Sequence, residues 1–311
     1  MRTVFFGTPG WAVPSLEALL AAPGVDLAGV VTNPDKPAGR GLALKASPVK
    51  ARAIDAGLVV QQPASGKDPV LDAWLRDLAV DVAVVVAYGR ILPGSLLKVP
   101  EHGFVNVHFS LLPEYRGAAP VQRAVIEGRS ETGVSIMVLT EGMDEGPVVA
   151  KESVAIHPTE SAGELGERLA RIGAGLLPEA LRGYVSGTAL PQPQDDSKAT
   201  YAAKITDADA RIDWTQPIDR VGALVRGTNP NPGAWTTLRG RRLKVFDIEP
   251  AGTEPLAPGE LLPGPHLVVG TGGGPARLVD VQPAGKRRMS GSELARGLRL
   301  ASGERLGEDA G

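Results

Sequence analysis

The sequence predicts an α/β protein in which a Rossmann-like, doubly wound sheet domain is followed by a small OB-like β-barrel. Three observations point there. Short apolar runs alternate with amphipathic helical stretches over roughly the first 190 residues, the pattern of a parallel sheet wrapped by helices. A polar, proline-bearing stretch at 187–197 then interrupts the alternation. Beyond it, short strand-like runs sit between Gly/Pro-rich turns, as in a small barrel. A length of 311 residues suits two domains at about 100–200 residues each. The expected division is 1–188 for the sheet domain, 189–207 for a linker and 208–311 for the barrel.

Taken in order, the strand-like runs of the first domain are 3–6, 27–32, 59–61, 82–87 and 104–107, with helical stretches at 13–21, 49–56, 70–78 and 93–98 between them. The run Val82-Ala83-Val84-Val85-Val86-Ala87 is apolar on both faces, as a central parallel strand covered by helices must be. A helix at 120–128, strands at 133–139 and 148–153 and a long helix at 162–184 complete the domain. In the second domain strands are expected at 243–248, 267–269 and 276–281, with no long helix except at 292–298. In a doubly wound sheet, ligands bind at the carboxyl ends of the strands.

Composition narrows the function. Hydrophobic residues make up 43% and charged residues 22%, ordinary for a globular protein with a sizeable core. No window reaches the ~18 consecutive apolar residues of a membrane span. The opening run 1–7 is too short for a signal peptide and predicts a buried strand. With no cysteine in the chain, disulfides, thiolate zinc sites and cysteine nucleophiles are excluded, which fits a cytoplasmic address. Net charge is −2, but between Arg220 and Arg299 twelve Lys/Arg face six acids. A locally basic domain on an acidic chain suits a selective polyanion contact; a solvated surface with arginines bound to local carboxylates is the competing reading.

The turn Gly7-Thr8-Pro9-Gly10-Trp11-Ala12 follows a strand and opens a helix, but it lacks G-x-G-x-x-G spacing and reads as a tight turn rather than a dinucleotide site. The informative stretch is Asn106-Val107-His108-Phe109-Ser110-Leu111-Leu112-Pro113. On a strand, Asn106 and His108 share a face, because side chains alternate with period two. Both then stand at a carboxyl end, where an amide can donate to a developing oxyanion and an imidazole can carry the proton of an attacking amine. Hydrogen-bonded strand-end residues with no chemistry are the alternative. His102, His157 and His266 have no partner at metal-ligand spacing, so no metal site is expected. The acidic loop Glu141-Gly142-Met143-Asp144-Glu145-Gly146 is either a plain turn or the source of a carboxylate, Asp144, that orients His108 and favours its imidazolium.

The run Asn106-x-His108-x-Ser110-Leu-Leu-Pro113-x-Tyr115-Arg116-Gly117-Ala118-Ala119-Pro120, followed by Asp144, resembles the folate-dependent formyltransferase superfamily. The resemblance implies a catalytic trio of Asn106, His108 and Asp144. It implies folate contacts from Tyr88, Gly89, Arg90, Ile91 and Leu92 and from Ser110, Leu111, Leu112 and Pro113, with 10-formyltetrahydrofolate as the formyl donor and no metal. Within the superfamily, the branch acting on initiator methionyl-tRNA is the one resembled over nearly the whole chain. Pro34-Asp35-Lys36-Pro37-Ala38-Gly39-Arg40-Gly41 resembles its inserted loop at the tRNA acceptor end. Ala210-Arg211-Ile212-Asp213-Trp214 and Asn231-Pro232-Gly233-Ala234-Trp235 resemble the entry to its barrel, and Gln282–Met289 a late motif. The implied tRNA contacts are Lys36, Arg40, Lys45, Arg241, Lys286, Arg287 and Arg288. Phe109 and Glu145 depart from the usual small residues without removing a catalytic group.

Read from the residues, the loop at 32–50 carries Lys36, Arg40, Lys45 and Lys50 against Asp35 alone, with glycines that allow close backbone approach. A basic loop beside an amine acceptor suits an RNA end. The expected reaction is direct formyl transfer to the α-amine of initiator methionyl-tRNA by a cytoplasmic monomer. The alternatives are a transformylase acting on an amino-sugar nucleotide or glycinamide ribonucleotide, and a non-catalytic RNA-binding module.

Overall fold

In the computed structural model, which describes residues 1–38, 43–253 and 255–308, the N-terminal apolar run forms β1 (Arg2–Gly7), buried from Thr3 onward. It is followed by α1 (Val13–Ala21), β2 (Asp26–Val31), a short hairpin of β3 (Lys36–Ala38) and β4 (Ala43–Lys45), α2 (Pro48–Asp55) and β5 (Val60–Gln61). Next come α3 (Pro69–Asp77), β6 (Val82–Val86), α4 (Gly94–Leu97) and β7 (Phe104–His108). Helix starts follow local chemistry. Ser47 accepts the Lys50 N–H ahead of α2 and Asp68 accepts the Val70 N–H ahead of α3, each with proline in the first turn.

The remaining elements are α5 (Pro120–Ile126), β8 (Glu131–Val138), β9 (Val148–Ala155), α6 (Ala162–Val185), α7 (Ile218–Thr228), β10 (Ala234–Leu238), β11 (Arg241–Pro250), β12 (Leu261–Leu262), β13 (Val268–Thr271), β14 (Gly274–Pro283), β15 (Met289–Ser290) and α8 (Gly291–Leu298). The chain divides into two compact units. The first is Met1–Pro120, Glu131–Ala155 and Gly166–Ala203; the second is Val121–Ser130, Ile156–Leu165 and Lys204–Gly311.

The first unit holds a seven-stranded sheet in the order β5-β2-β1-β6-β7-β8-β9. Its first five strands are parallel, and the chain reverses its direction of travel across the sheet between β1 and β6, the switch-point arrangement of a doubly wound fold. β8 and β9 join antiparallel, so the sheet is mixed rather than purely parallel. All five residues of β6 are buried, as its two-sided apolar run requires. Val4, Phe6, Leu71, Leu75, Ala83, Val85, Leu96 and Phe104 share one core layer. Burying each large side chain there contributes about 1.5–3 kcal/mol.

The stretch 189–207, expected as a linker, is extended but fixed along most of its length. Gln192 and Val148 exchange two backbone hydrogen bonds of 2.8 Å, Arg116 N–H donates to Thr200 O (2.8 Å) and Ala202 N–H donates to Arg116 O (2.7 Å). The stretch belongs to the first unit as far as Ala203.

In the second unit β10-β11-β14-β13-β12 form an antiparallel sheet, with β15 pairing β14. Its two edges meet through the C-terminal stretch, where Leu306 bridges Leu238 and Arg305 bridges Glu260. Val221 and Val225 of α7 pack into the interior beside Val245, Val269, Leu278 and Val281. The expectation that 292–298 would be the only long helix here is corrected by α7: its Gly222 and Gly227 weaken the helix signal, and barrel packing overrides them.

Candidate active site

The turn after β7 is pinned to β8 before any catalytic group is considered. His108 pairs in register with Ser135, whose hydroxyl donates to Ser110 O (2.8 Å) and accepts the Leu112 N–H (3.1 Å). The Ser110 hydroxyl donates to Glu114 O at 2.6 Å, which tightens the turn from within. Tyr115 then takes a left-handed backbone (φ 59°) that aims its carbonyl back at the strand end, where it accepts from His108 Nε2 at 2.9 Å. A carbonyl only accepts, so Nε2 carries the hydrogen and Nδ1 is turned the other way.

Nδ1 faces Asp144. The carboxylate Oδ2 lies 3.6 Å away, too far for a hydrogen bond and an ion pair only when the imidazole is protonated, with the two side chains 6% and 17% exposed. Asp144 also sits in the left-handed region (φ 52°), and its Oδ2 accepts the Gly117 N–H at 2.8 Å. Gly117 has φ 115°, and a Cβ there would meet Ala202 O at 2.9 Å, so the turn needs glycine. Asn106 shares the His108 face of β7; it is half-buried, and its amide stays outside the hydrogen-bond network of the described residues. The arrangement brings an unengaged amide and an imidazole–carboxylate pair to one strand end, the parts an acyl transfer to an amine requires.

The segment after β6 is placed differently from a simple cleft lining. Ala87 and Gly89 both have positive φ (46° and 74°), which turns the chain sharply at the strand end. Tyr88 points inward: its ring packs edge-on to Phe6 at 5.5 Å, it is 1% exposed, and its hydroxyl has no partner among the described residues. Burial pushes its phenol pKa up. Leu92 and Leu112 are likewise core residues, Leu111 and Pro113 are half-buried, and Ile91 is exposed. Arg90 donates to Asn33 Oδ1 and Ala64 O, so its guanidinium is held by the fold.

Of the basic residues of the hairpin region, Lys36 and Lys45 are exposed and lie directly opposite each other across β3 and β4. Arg40 lies outside the described residues. Lys50 is engaged by Asp35 at 2.5 Å, and this bond, with one from Gln62, holds the Asp35 carboxyl below the usual carboxylate range. In the barrel, Arg241, Lys286 and Arg287 are exposed. Arg288 pairs with Asp280 at 2.6 Å and covers the Phe246 ring at 4.2 Å. Arg239 pairs with Glu304 and Arg242 with Asp207, acids outside the 220–299 window, and Arg277 pairs with Glu249 inside it. The basic excess is thus partly neutralised by carboxylates that charge counting along the chain leaves out.

Reading the sequence missed three groups in contact with this cluster: the Tyr115 carbonyl, the Gly117 N–H, and Gln194, whose side-chain amide donates to Asp144 O. The first two are backbone groups, which no residue type announces. Gln194 lay in a stretch whose composition signals only extension.

The fold is that of a two-part transferase, and the chain belongs to the formyl transferase family: residues 1–181 match its formyl transferase domain and residues 204–299 its C-terminal domain. It is 48% identical over 310 residues to the methionyl-tRNA formyltransferase of Streptomyces coelicolor, covering 99% of this chain and 100% of that protein. The methionyl-tRNA formyltransferase of Heliobacterium modesticaldum is 45% identical, again over 99% of this chain and 100% of the relative. Among solved structures, the Helicobacter canadensis N-formyltransferase in complex with folinic acid and dTDP-3-aminofucose superposes with a TM-score of 0.64 at 16% identity, over 91% of this chain and 99% of that one. HypX from Aquifex aeolicus in complex with tetrahydrofolic acid gives 0.64 at 18% identity; 94% of this chain matches about half (46%) of that chain. At these identities the structural likeness speaks for the fold.

Proposed function

We propose that this protein transfers a formyl group from 10-formyltetrahydrofolate to the α-amine of initiator methionyl-tRNA. The observation that carries the reading is the end-to-end match, through both family domains, to relatives named methionyl-tRNA formyltransferase. The residues at the end of β7 fit a formyl donor, because Asn106 offers an amide with no internal partner among the described residues, beside a buried imidazole–carboxylate pair. The folate supplies the formyl group.

The chain's own residues do the rest. Asn106 donates to the formyl oxygen, whose negative charge grows as the amine adds. A single preorganised donor of this kind contributes about 2.7–4 kcal/mol of transition-state stabilisation. As the amine nitrogen bonds to the formyl carbon and the bond from that carbon to folate N10 breaks, His108, faced by the Asp144 carboxylate at 3.6 Å, takes the proton the amine releases and returns it to the departing N10, so that tetrahydrofolate leaves neutral at that nitrogen. An α-amine has a pKa near 7.7–8.0, lowered further by the adjacent ester, so a useful fraction is already nucleophilic at neutral pH. Positioning therefore carries much of the rate. The backbone after β6 and the 110–113 turn border the donor, and Lys36, Arg40 and Lys45 meet the acceptor end of the RNA. Arg241, Lys286 and Arg287 supply sequence-independent phosphate contacts.

Incubating the full chain with labelled formyl-folate and four acceptors tests this: initiator Met-tRNA, elongator Met-tRNA, free methionine and glycinamide ribonucleotide. Label should enter initiator Met-tRNA. Labelling of glycinamide ribonucleotide instead, or of none, would overturn the reading.

A further inference from the structure

Asp144 holds a backbone conformation that a non-glycine residue adopts at a cost, and its carboxylate is aimed at His108 from a loop rather than from a strand. Something must hold that loop. The side chain of Gln194 reaches into it from the extended segment after α6. Its Nε2 donates to Asp144 O at 2.8 Å and to Gly146 O at 2.7 Å, spanning the residues on either side of Glu145. Its Oε1 accepts from Arg116 Nε (3.0 Å) and Nη2 (2.9 Å).

The orientation of this amide is unambiguous, because arginine only donates and carbonyls only accept. Arg116 is itself 3% exposed and is fixed by Asp196 Oδ1 at 2.7 Å. Its backbone lies between Tyr115, whose carbonyl binds His108, and Gly117, whose N–H binds Asp144.

We infer that Gln194, oriented by Arg116, is a positioning residue that sets Asp144 against His108. The inference rests on the proposed function for its kinetic consequence, but not for its geometry. One residue pair ties together both groups that flank the imidazole: Arg116 through the turn it belongs to, and Gln194 through the loop it grips. Asp144 is thereby held from two directions, by Gly117 on its carboxylate and by Gln194 on its carbonyl.

Gln194→Glu separates positioning from mere seating of the segment. A carboxylate keeps and strengthens the contact with Arg116, but it presents acceptors to two carbonyls that need donors. In the full-length protein, kcat should fall in Gln194→Glu and Gln194→Ala, by up to about a hundredfold, with KM for the formyl donor changed by no more than about twofold. Amide exchange at Gly117 should accelerate in both variants while Gln192 and Val148 stay protected. Gln194→Asn, which retains both functions one methylene shorter, should recover part of the rate, and it carries the same readouts should the other two fail to fold.

Wild-type kcat and Gly117 protection in Gln194→Glu would overturn the inference. So would simultaneous loss of protection at Gln192, Val148 and Gly117, since that outcome means the residue only seats the segment. If the wild-type chain transfers no formyl group, the proposed function falls, while exchange at Gly117 still decides the inference.

Discussion

Asn106 stands half-buried at the end of β7 with its amide outside the network of the described residues, so truncating it removes a donor without stranding a buried partner. Asn106→Ala should therefore fold normally and still bind folate, while losing about 2.7–4 kcal/mol of transition-state stabilisation, read as a fall in kcat. Near-normal turnover would remove the oxyanion role. Tyr88 makes the opposite case. Its residue type and motif suggest a ligand contact, yet its hydroxyl is buried with no partner among the described residues, at a cost that burial alone sets. Tyr88→Phe should raise stability by about 1 kcal/mol in denaturant titration and leave folate affinity unchanged. A loss of folate affinity would mean that the hydroxyl turns outward when ligand binds.

In the β3–β4 hairpin the proposed RNA contacts would come at a cost to the element's own stability. Lys36 and Lys45 are exposed and directly opposite, and like charges in that register repel. Asp35, Lys50 and Gln62 form a polar cluster in which the Lys50 ammonium is already paired. Lys45→Glu should place opposite charges across the strands, slowing amide exchange in the hairpin while weakening tRNA binding. If tRNA affinity holds while exchange slows, the pair is only a surface feature. The β14–β15 turn is uneven in the same way. Lys286 and Arg287 project freely, whereas Arg288 is held by Asp280 and stacked on Phe246. Reversing Lys286 and Arg287 should flatten the log–log salt dependence of tRNA binding by about 0.7–0.9 for each phosphate left unneutralised, while Arg288→Ala changes it less and costs barrel stability instead. Equal slopes for all three would refute that division.

The two units are not separable by one cut. Removing everything after Lys204 would leave 121–130 and 156–165 behind, although both segments belong to the second unit, so charge reversal on the intact chain is the cleaner probe of what the barrel contributes. Most of the architecture was already legible in local pattern. Short apolar runs, two-sided at 82–87, marked the strands of the sheet, and the Asn106–Pro120 motif marked the strand end proposed to carry the chemistry. Those features depend on neighbours a few residues apart, and a linear chain states them directly. The resemblance named Asp144 with His108, but folding alone set the 3.6 Å between them, turned Tyr88 inward, paired Arg242 with Asp207 and set Gln194 between Arg116 and the Asp144 loop. Each of those contacts joins groups from separate elements, so it depends on strand order, register and the path of the crossovers. Charge and hydrogen-bonding capacity are written in the sequence, but which groups satisfy one another is settled only when the chain closes on itself.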